Sequence, residues 1–277
     1  MKATFITADG TKKGEIELPV QFQEEVRADL IKRAVFALQS HDRQPHGTDP
    51  EAGKKSANKI SRRRRDYKTA YGIGISRVPR KIMSHSGTRF NWVGAMSPNT
   101  VGGFEAHPSK PEEVYAKKIN IKERRKAIRS ALAASLRKDL VEKRGHVVSE
   151  YPIVLDSAVE SMTKTKEVLA YLTKLGLDAE LERAGKSRMN TGKARRRGRP
   201  TQQRKGPLFV VSAKCGLEKA ASNVPGVDVV QVKSINAELL APGGQAGRLT
   251  LYTKGALEVL EKESLFLEKA PVKVKSK

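Results

Sequence analysis

The sequence predicts an α/β protein: a mainly parallel sheet with helices on both of its faces, interrupted by a long basic insertion. Three observations lead there. Beyond Gly145, short runs rich in Val, Leu and Ile alternate with segments of helical periodicity, the pattern of a parallel sheet wound with crossover helices. Between about residues 41 and 111 periodicity gives way to Gly, Pro, Ser, Asn and Arg. Finally, 54 Lys and Arg stand against 30 acidic residues, a formal charge of +24 on 277 residues, which repels itself unless a polyanion neutralises it.

The elements follow in order. Residues 3–7 and 14–18 read as short strands around the turn signal Asp9-Gly10. Val26, Leu30, Ala34 and Leu38 recur every fourth position and predict a helix. Asn120 and Glu123 form a capping-box-like pair before a long helix that stops near Gly145, with Ile128, Leu132, Leu136 and Leu140 on its apolar face. Next come a strand at 151–155, a helix at 163–175 closed by Gly176, and a β-like segment at 177–181. Strands at 208–212, 227–232 and 248–253 complete the sheet, with helical segments at 217–223, 236–240 and 254–263. These segments predict a globular domain made of residues 1–40 and 112–265, an inserted segment at 41–111, and a Lys-rich tail at 266–277. An insertion of this length with no periodicity builds no core and is expected to be ordered by a partner.

Positive charge concentrates where no core explains it. Residues 186–205 hold Lys186, Arg188, Lys193, Arg195, Arg196, Arg197, Arg199, Arg204 and Lys205 without one acidic residue, and Gly192, Gly198 and Pro200 argue against a helix there. The insertion carries Arg62, Arg63, Arg64 and Arg65 in succession, then Lys68, Arg77, Arg80, Lys81 and Arg89. Interleaved with these are Tyr67, Tyr71, Phe90, Trp92 and Phe104. Guanidinium groups fork onto phosphate oxygens, and aromatic rings stack on splayed bases. His85 and His107 lie in the same segment. A third basic surface comprises Lys122, Arg124, Arg125, Lys126 and Arg129, whose charges oppose the dipole at a helix start unless phosphate lies nearby. The competing readings are a solvated face or disordered tail, and for residues 62–65 a nuclear-localisation signal. The preference for Arg over Lys and the interleaved aromatics favour RNA.

No reaction centre is visible. Gly72 and Gly74 lack the rest of a dinucleotide fingerprint, and the glycines at 243, 244 and 247 precede a strand where a phosphate loop follows one. His41, His46, His85, His107 and His146 show no metal-ligand spacing. Cys215 is the single cysteine, so no intrachain disulfide is possible. No apolar run spans a membrane and the start is unlike a signal peptide, which predicts an intracellular soluble chain. No enzyme activity, metal, cofactor or small-molecule substrate is expected. Two rivals stay open: an RNA-modifying α/β enzyme that uses the insertion to grip its substrate, and a duplex-DNA-binding protein.

The order of features resembles a known family. The N-terminal hairpin and helix are followed by the Gly/Arg-rich insertion and the basic helix with Ile128-Arg129-Ser130-Ala131-Leu132-Ala133. Then come the basic loop before Gly206-Pro207-Leu208-Phe209-Val210, and Leu240-Ala241-Pro242-Gly243-Gly244 with Gly247-Arg248-Leu249. Within the insertion stand Gly74-Ile75-Ser76-Arg77-Val78-Pro79-Arg80 and Glu105-Ala106-His107-Pro108. Over nearly the whole chain this resembles large-subunit ribosomal protein number four in its archaeal and eukaryotic form. The resemblance implies a three-layer Rossmann-like domain that binds no nucleotide, in a cytoplasmic ribosome. It implies an insertion that penetrates large-subunit rRNA and lines the nascent-peptide exit tunnel beside ribosomal protein number twenty-two. The tip would fall within residues 77–101, with Arg80, Lys81, Arg89 and Trp92 as candidates, and residues 84–103 depart most from the family pattern.

Overall fold

A computed structural model describes residues 2–87 and 89–267. The chain divides into two compact units, one formed by the residues up to His41 and from Lys117 on, the other by Asp42–Ala116. The first unit contains a six-stranded sheet of β1 (Lys2–Ile6), β2 (Lys12–Glu17), β3 (Ile153–Leu155), β4 (Leu208–Val211), β5 (Asp228–Gln231) and β6 (Thr250–Thr253). Their order across the sheet is β5-β4-β6-β3-β1-β2. All neighbours pair in parallel except β1 and β2, which run antiparallel with Lys2 opposite Glu17 and Ala3 opposite Ile16. Edge strand β2 is mostly exposed and charged, a composition that discourages pairing with another chain.

Side-chain alternation along the strands sorts the core into two clusters. Ala3, Val154, Leu208, Val210 and Tyr252 pack with helices α1 (Ala28–His41) and α2 (Ile121–Ser135). Ile6, Ile153, Leu155, Phe209, Val211 and Leu251 pack on the other side, against α3 (Lys138–Lys143) and α4 (Thr165–Lys174). Every residue of β3, β4 and β6 is buried, as strands covered on both faces must be. Two further helices, α5 (Asp178–Gly185) and α6 (Gly192–Arg196), precede β4. Helices α7 (Leu217–Ala221), α8 (Ala237–Leu240) and α9 (Lys254–Lys262) follow it. Buried Tyr252 meets Phe22 edge-on at 5.1 Å and hydrogen-bonds Ser135 at 2.8 Å, which ties β6 to the end of α2.

Several expectations need correction. The long helix after Asn120 is two helices, because the chain leaves helical geometry at Arg137 (ψ 109°) and restarts at Lys138. Asn120 does precede α2, but its side chain makes no capping bond. Glu123 turns instead to Arg33, 3.3 Å away. Residues 177–181 are not β-like but belong to the start of α5. The stretch around Gly192 does contain a helical turn, α6. The predicted stop at Gly176 is present: at φ +71° it accommodates the left-handed turn, and Leu177 N donates to Leu172 O at 3.1 Å.

The second unit is held by turns and side chain–backbone bonds. Its described residues contribute nothing to the two core clusters, although Ala70, Trp92 and Ala95 are buried. It does have regular structure that periodicity does not reveal. Arg80–Lys81 pairs with Val93–Gly94 and His85–Ser86 with Arg89–Phe90, forming a short antiparallel hairpin. Of the Lys-rich tail, everything from Glu268 on lies outside the described residues.

Candidate nucleic-acid interface

The four consecutive arginines sit on a closed loop. Ser61 N donates to Lys68 O at 2.9 Å and Ala70 N to Ser61 O at 3.0 Å, pinching the chain into an arch over residues 61–70. Thr69 Oγ1 donates to Arg63 O at 2.6 Å across it. Arg65 and Lys68 take up left-handed conformations, φ +59° and +53°, which cost energy in non-glycine residues. Arg62, Arg63, Arg64 and Arg65 are all exposed, and among the described residues none lies within ion-pair distance of a carboxylate. Tyr67 is 82% exposed, with Lys68 Nζ 5.3 Å from its ring centre.

Tyr71 organises the next cations. The Arg64 and Arg77 guanidinium groups each lie 5.5 Å from its ring centre. Arg77 also donates to the Tyr71 hydroxyl at 3.2 Å, and that hydrogen bond pulls the phenol below its usual range. Arg80 is tethered: it donates to Ser76 Oγ at 2.6 Å and to Trp92 O at 3.0 Å. Lys81, Arg89 and His107 are exposed. Trp92 is placed differently from the other candidates, with only 8% of its surface exposed. Its burial withholds the indole face from a partner and makes it part of the hairpin's packing.

The second basic segment is an arm of the first unit. Arg188–Met189 pairs with Thr201–Gln202, Asn190 N donates to Pro200 O at 2.8 Å, and Asn190 Nδ2 donates to Arg199 O at 3.0 Å. Helix α6 turns the tip, so Lys193, Arg195, Arg196, Arg197 and Arg199 stand exposed at one end. Arg188, Arg204 and Lys205 lie at the base, where Lys205 pairs with Asp228 at 3.0 Å.

The third surface is smaller than its sequence suggests. Arg124 is exposed and Arg125 half-buried on α2, but Arg129 is buried, pairs with Glu24 at 2.8 Å and donates to Phe266 O at 2.7 Å. Arg129 belongs to the packing and not to the surface. Among the described residues, no group of His, Cys, Asp or Glu could hold a metal ion. No helix among them is long and apolar enough to cross a membrane. Burial raises the Cys215 thiol above its usual range, the direction of an unreactive cysteine.

Comparison with known proteins decides the family. The ribosomal protein L4/L1 family matches residues 16–263. The chain belongs to the ribosomal protein L4/L1 family. The chain is 48% identical to the large ribosomal subunit protein uL4 of Nanoarchaeum equitans over 96% of its own length and all of that protein. It is 44% identical to the uL4 protein of Archaeoglobus fulgidus over 94% of this chain and 98% of that one. With the uL4 protein of Methanoculleus marisnigri it shares 45% identity over 95% of this chain and all of that protein.

Sequence reasoning missed part of what this L4/L1 family member brings together. Arg144 follows α3 and Arg183 lies on α5, yet both line a cavity beside Arg188, Arg204 and Lys205. Nothing in the sequence marks those two arginines: Arg144 stands between Lys143 and the helix-stopping Gly145, and Arg183 between Glu182 and Ala184 on a helix rich in Glu. Only the packing of α3 and α5 beside the arm reveals them.

Proposed function

We propose that this protein is a structural constituent of the large ribosomal subunit that binds large-subunit rRNA, helps it fold and catalyses no reaction. The observation that carries the reading is the placement of the arginines. The arch at 61–70 and the arm at 188–202 display exposed cations, nearly all without a carboxylate close by; Asp66 in the arch acts on Arg63 without forming an ion pair with it, so most of their charge is left for an external polyanion. Similarity over nearly the full length to proteins named as large-subunit uL4 supports the same partner. Phosphate contacts from Arg62, Arg63, Arg64 and Arg65 and from the arm position the protein, while Tyr67 and neighbouring guanidinium planes stack on unpaired bases.

In this reading residues 1–40 and 112–265 form a Rossmann-like domain without a nucleotide, and residues 41–111 pass into the rRNA. The hairpin at 80–94, with Arg80, Lys81 and Arg89, faces the nascent peptide in the exit tunnel beside ribosomal protein number twenty-two. The protein then works in the cytoplasmic ribosome. Crosslinking within salt-washed large subunits, with attached nucleotides mapped by mass spectrometry, tests this. Adducts of large-subunit rRNA are expected on residues 62–89 and 186–205. Release by the salt wash with no adducts would reject it, and a saturable small-molecule cofactor seen in a thermal-shift assay would favour an RNA-modifying enzyme.

A further inference from the structure

The turn after α3, the outer face of α5 and the base of the 188–202 arm enclose a cleft of about 480 Å3, within the size range of small-ligand sites. Its charge is one-sided. Arg144, Arg183, Arg188, Arg204 and Lys205 line it, and no carboxylate does. Two of these cations have partners: Glu180 neutralises Arg183 at 2.7 Å, and Asp228, shared with Arg248, neutralises Lys205. Arg144, Arg188 and Arg204 have no carboxylate within ion-pair distance among the described residues.

The cleft is also held in shape. Arg144 donates to Pro242 O at 2.7 Å and to Gln245 O, which fixes its guanidinium while leaving other donors of its fork unused. Arg183 donates to Lys205 O at 2.6 Å and so anchors the base of the arm to α5. Burial, with the nearby charges of Arg248 and Arg183, pushes Arg144 down to about 10. A cation held in that surrounding is stabilised by an arriving anion more than a fully solvated one is. His146 at the wall is lowered by burial, so the charge of the cleft near neutral pH comes from its arginines and Lys205. Gln202 and Gln203 add neutral amides at the rim, suited to ribose hydroxyls and base edges.

We propose that this cleft is a phosphate-binding pocket that seats one backbone phosphate, with its nucleotide, of the RNA held by the 188–202 arm. It rests on the RNA-binding reading of that arm and adds a fixed anchoring point to it. RNA is favoured over a free phosphorylated compound because five of the lining residues, Arg188, Gln202, Gln203, Arg204 and Lys205, are the arm's own base. An RNA strand following the arm's exposed arginines therefore reaches the cleft without leaving the basic surface.

The test compares two pairs of substitutions in the full chain, each removing two exposed charges from the same basic segment. Arg188→Gln with Arg204→Gln empties the rim of the cleft; Arg195→Gln with Arg196→Gln discharges the arm's tip. None of the four makes an ion pair inside the described protein, and an unchanged thermal midpoint verifies that both variants fold. Binding to purified large-subunit rRNA is then measured across salt concentrations. The cleft pair is expected to lose about tenfold or more in affinity, the scale of a charge-assisted hydrogen bond to phosphate, and the tip pair about threefold. Equal losses, or a larger loss at the tip, overturn the pocket and leave a diffuse electrostatic grip. A wild-type affinity indifferent to salt overturns the RNA-binding reading itself. Pyrophosphate, titrated without RNA, separates the two sources of phosphate. If it raises the midpoint of the wild type but not of the cleft pair, while both pairs bind RNA equally, the ligand is a free phosphorylated compound and the RNA assignment fails.

Discussion

Glu180 Oε1 and His146 Nδ1 meet 2.7 Å apart with neither side chain open to solvent. Burial opposes ionisation of Glu180, but the hydrogen bonds from Arg183, His146 and the Val147 amide outweigh it and hold the carboxyl at about 2. Burial also lowers His146 against the pull of Glu180, so the ring is neutral with its Nδ1 proton directed at the carboxylate. Both groups bind fewer protons folded than unfolded, so acid destabilises the fold. The His146 contribution begins to be lost as pH falls below about 6.5, and that of Glu180 as pH falls from about 4.3 towards 2. Urea midpoints followed from pH 7 to 3 should drop in two stages. Glu180→Gln should cost about 3 kcal/mol at pH 7 and flatten the stage below pH 4. An equally steep acid stage in the variant would assign it to another carboxylate.

How that pair escapes a reading of the sequence shows where such a reading ends. Leu177, Ala179 and Leu181 alternate with Asp178 and Glu180, a period of two that fits a strand as well as the spacing of Leu177 and Leu181 fits a helix turn. Helix formation wins, and it carries Glu180 inward, where alternation assigns it to solvent. Strands β4 and β6 were legible because their apolar runs are short and sharply bounded, and so was the helical segment at 236–240, although the cap that Asn236 makes by accepting from Leu239 N at 2.8 Å was seen only in the structure. The break at Arg137 was not legible, since no Gly or Pro marks it. At the candidate interface the cations were legible by composition. The arch that closes on Ser61, the burial of Arg129 and the cleft around Arg144 arise from the packing of distant segments.

Arg248 is fully buried and ties together the approach to β4, the start of β5 and helix α8. It donates to Gly206 O at 3.0 Å, Leu239 O at 3.0 Å and Asp228 Oδ2 at 2.5 Å. Arg248→Met keeps much of the volume but leaves the carbonyls unpaired and the Asp228 charge with Lys205 alone. A loss of about 3 to 5 kcal/mol is expected in urea unfolding, and Arg248→Lys should recover only part of it because an ammonium cannot fork across these acceptors. A loss under about 1 kcal/mol for the methionine variant would show that packing, not the polar network, holds this corner.

Glu160 ties the carboxyl ends of two strands. Its Oε1 accepts from Ser212 N at 3.0 Å and Thr253 Oγ1 at 2.6 Å, and its Oε2 accepts from Ser212 Oγ at 2.6 Å. Thr253 in turn caps α9 by accepting from Ala256 N at 3.2 Å. Glu160→Ala should cost about 2 kcal/mol and increase amide hydrogen exchange in the first turn of α9. Exchange unchanged there would mean that Thr253 caps the helix without help from the carboxylate.

The arch at 61–70 separates fold from binding most cleanly. Arg62, Arg63, Arg64 and Arg65 are exposed; Thr69 Oγ1 and Ser61 Oγ bond the backbone of Arg63 and not its guanidinium, and the Arg64 guanidinium lies against the exposed side of the second unit at Tyr71 and not in a core. Replacing all four side chains with alanine disturbs neither the core nor any ion pair of the described chain. The thermal midpoint of the isolated protein, followed by circular dichroism, should therefore move by no more than a few degrees. Removing four phosphate-seeking charges should lower the slope of log affinity against log salt for large-subunit rRNA by about 3, at roughly 0.7 to 0.9 for each phosphate no longer neutralised. Incorporation into large subunits should fall with it. A large drop in midpoint would show that the arch stabilises the chain, whereas an unchanged slope would show that these arginines do not touch the RNA.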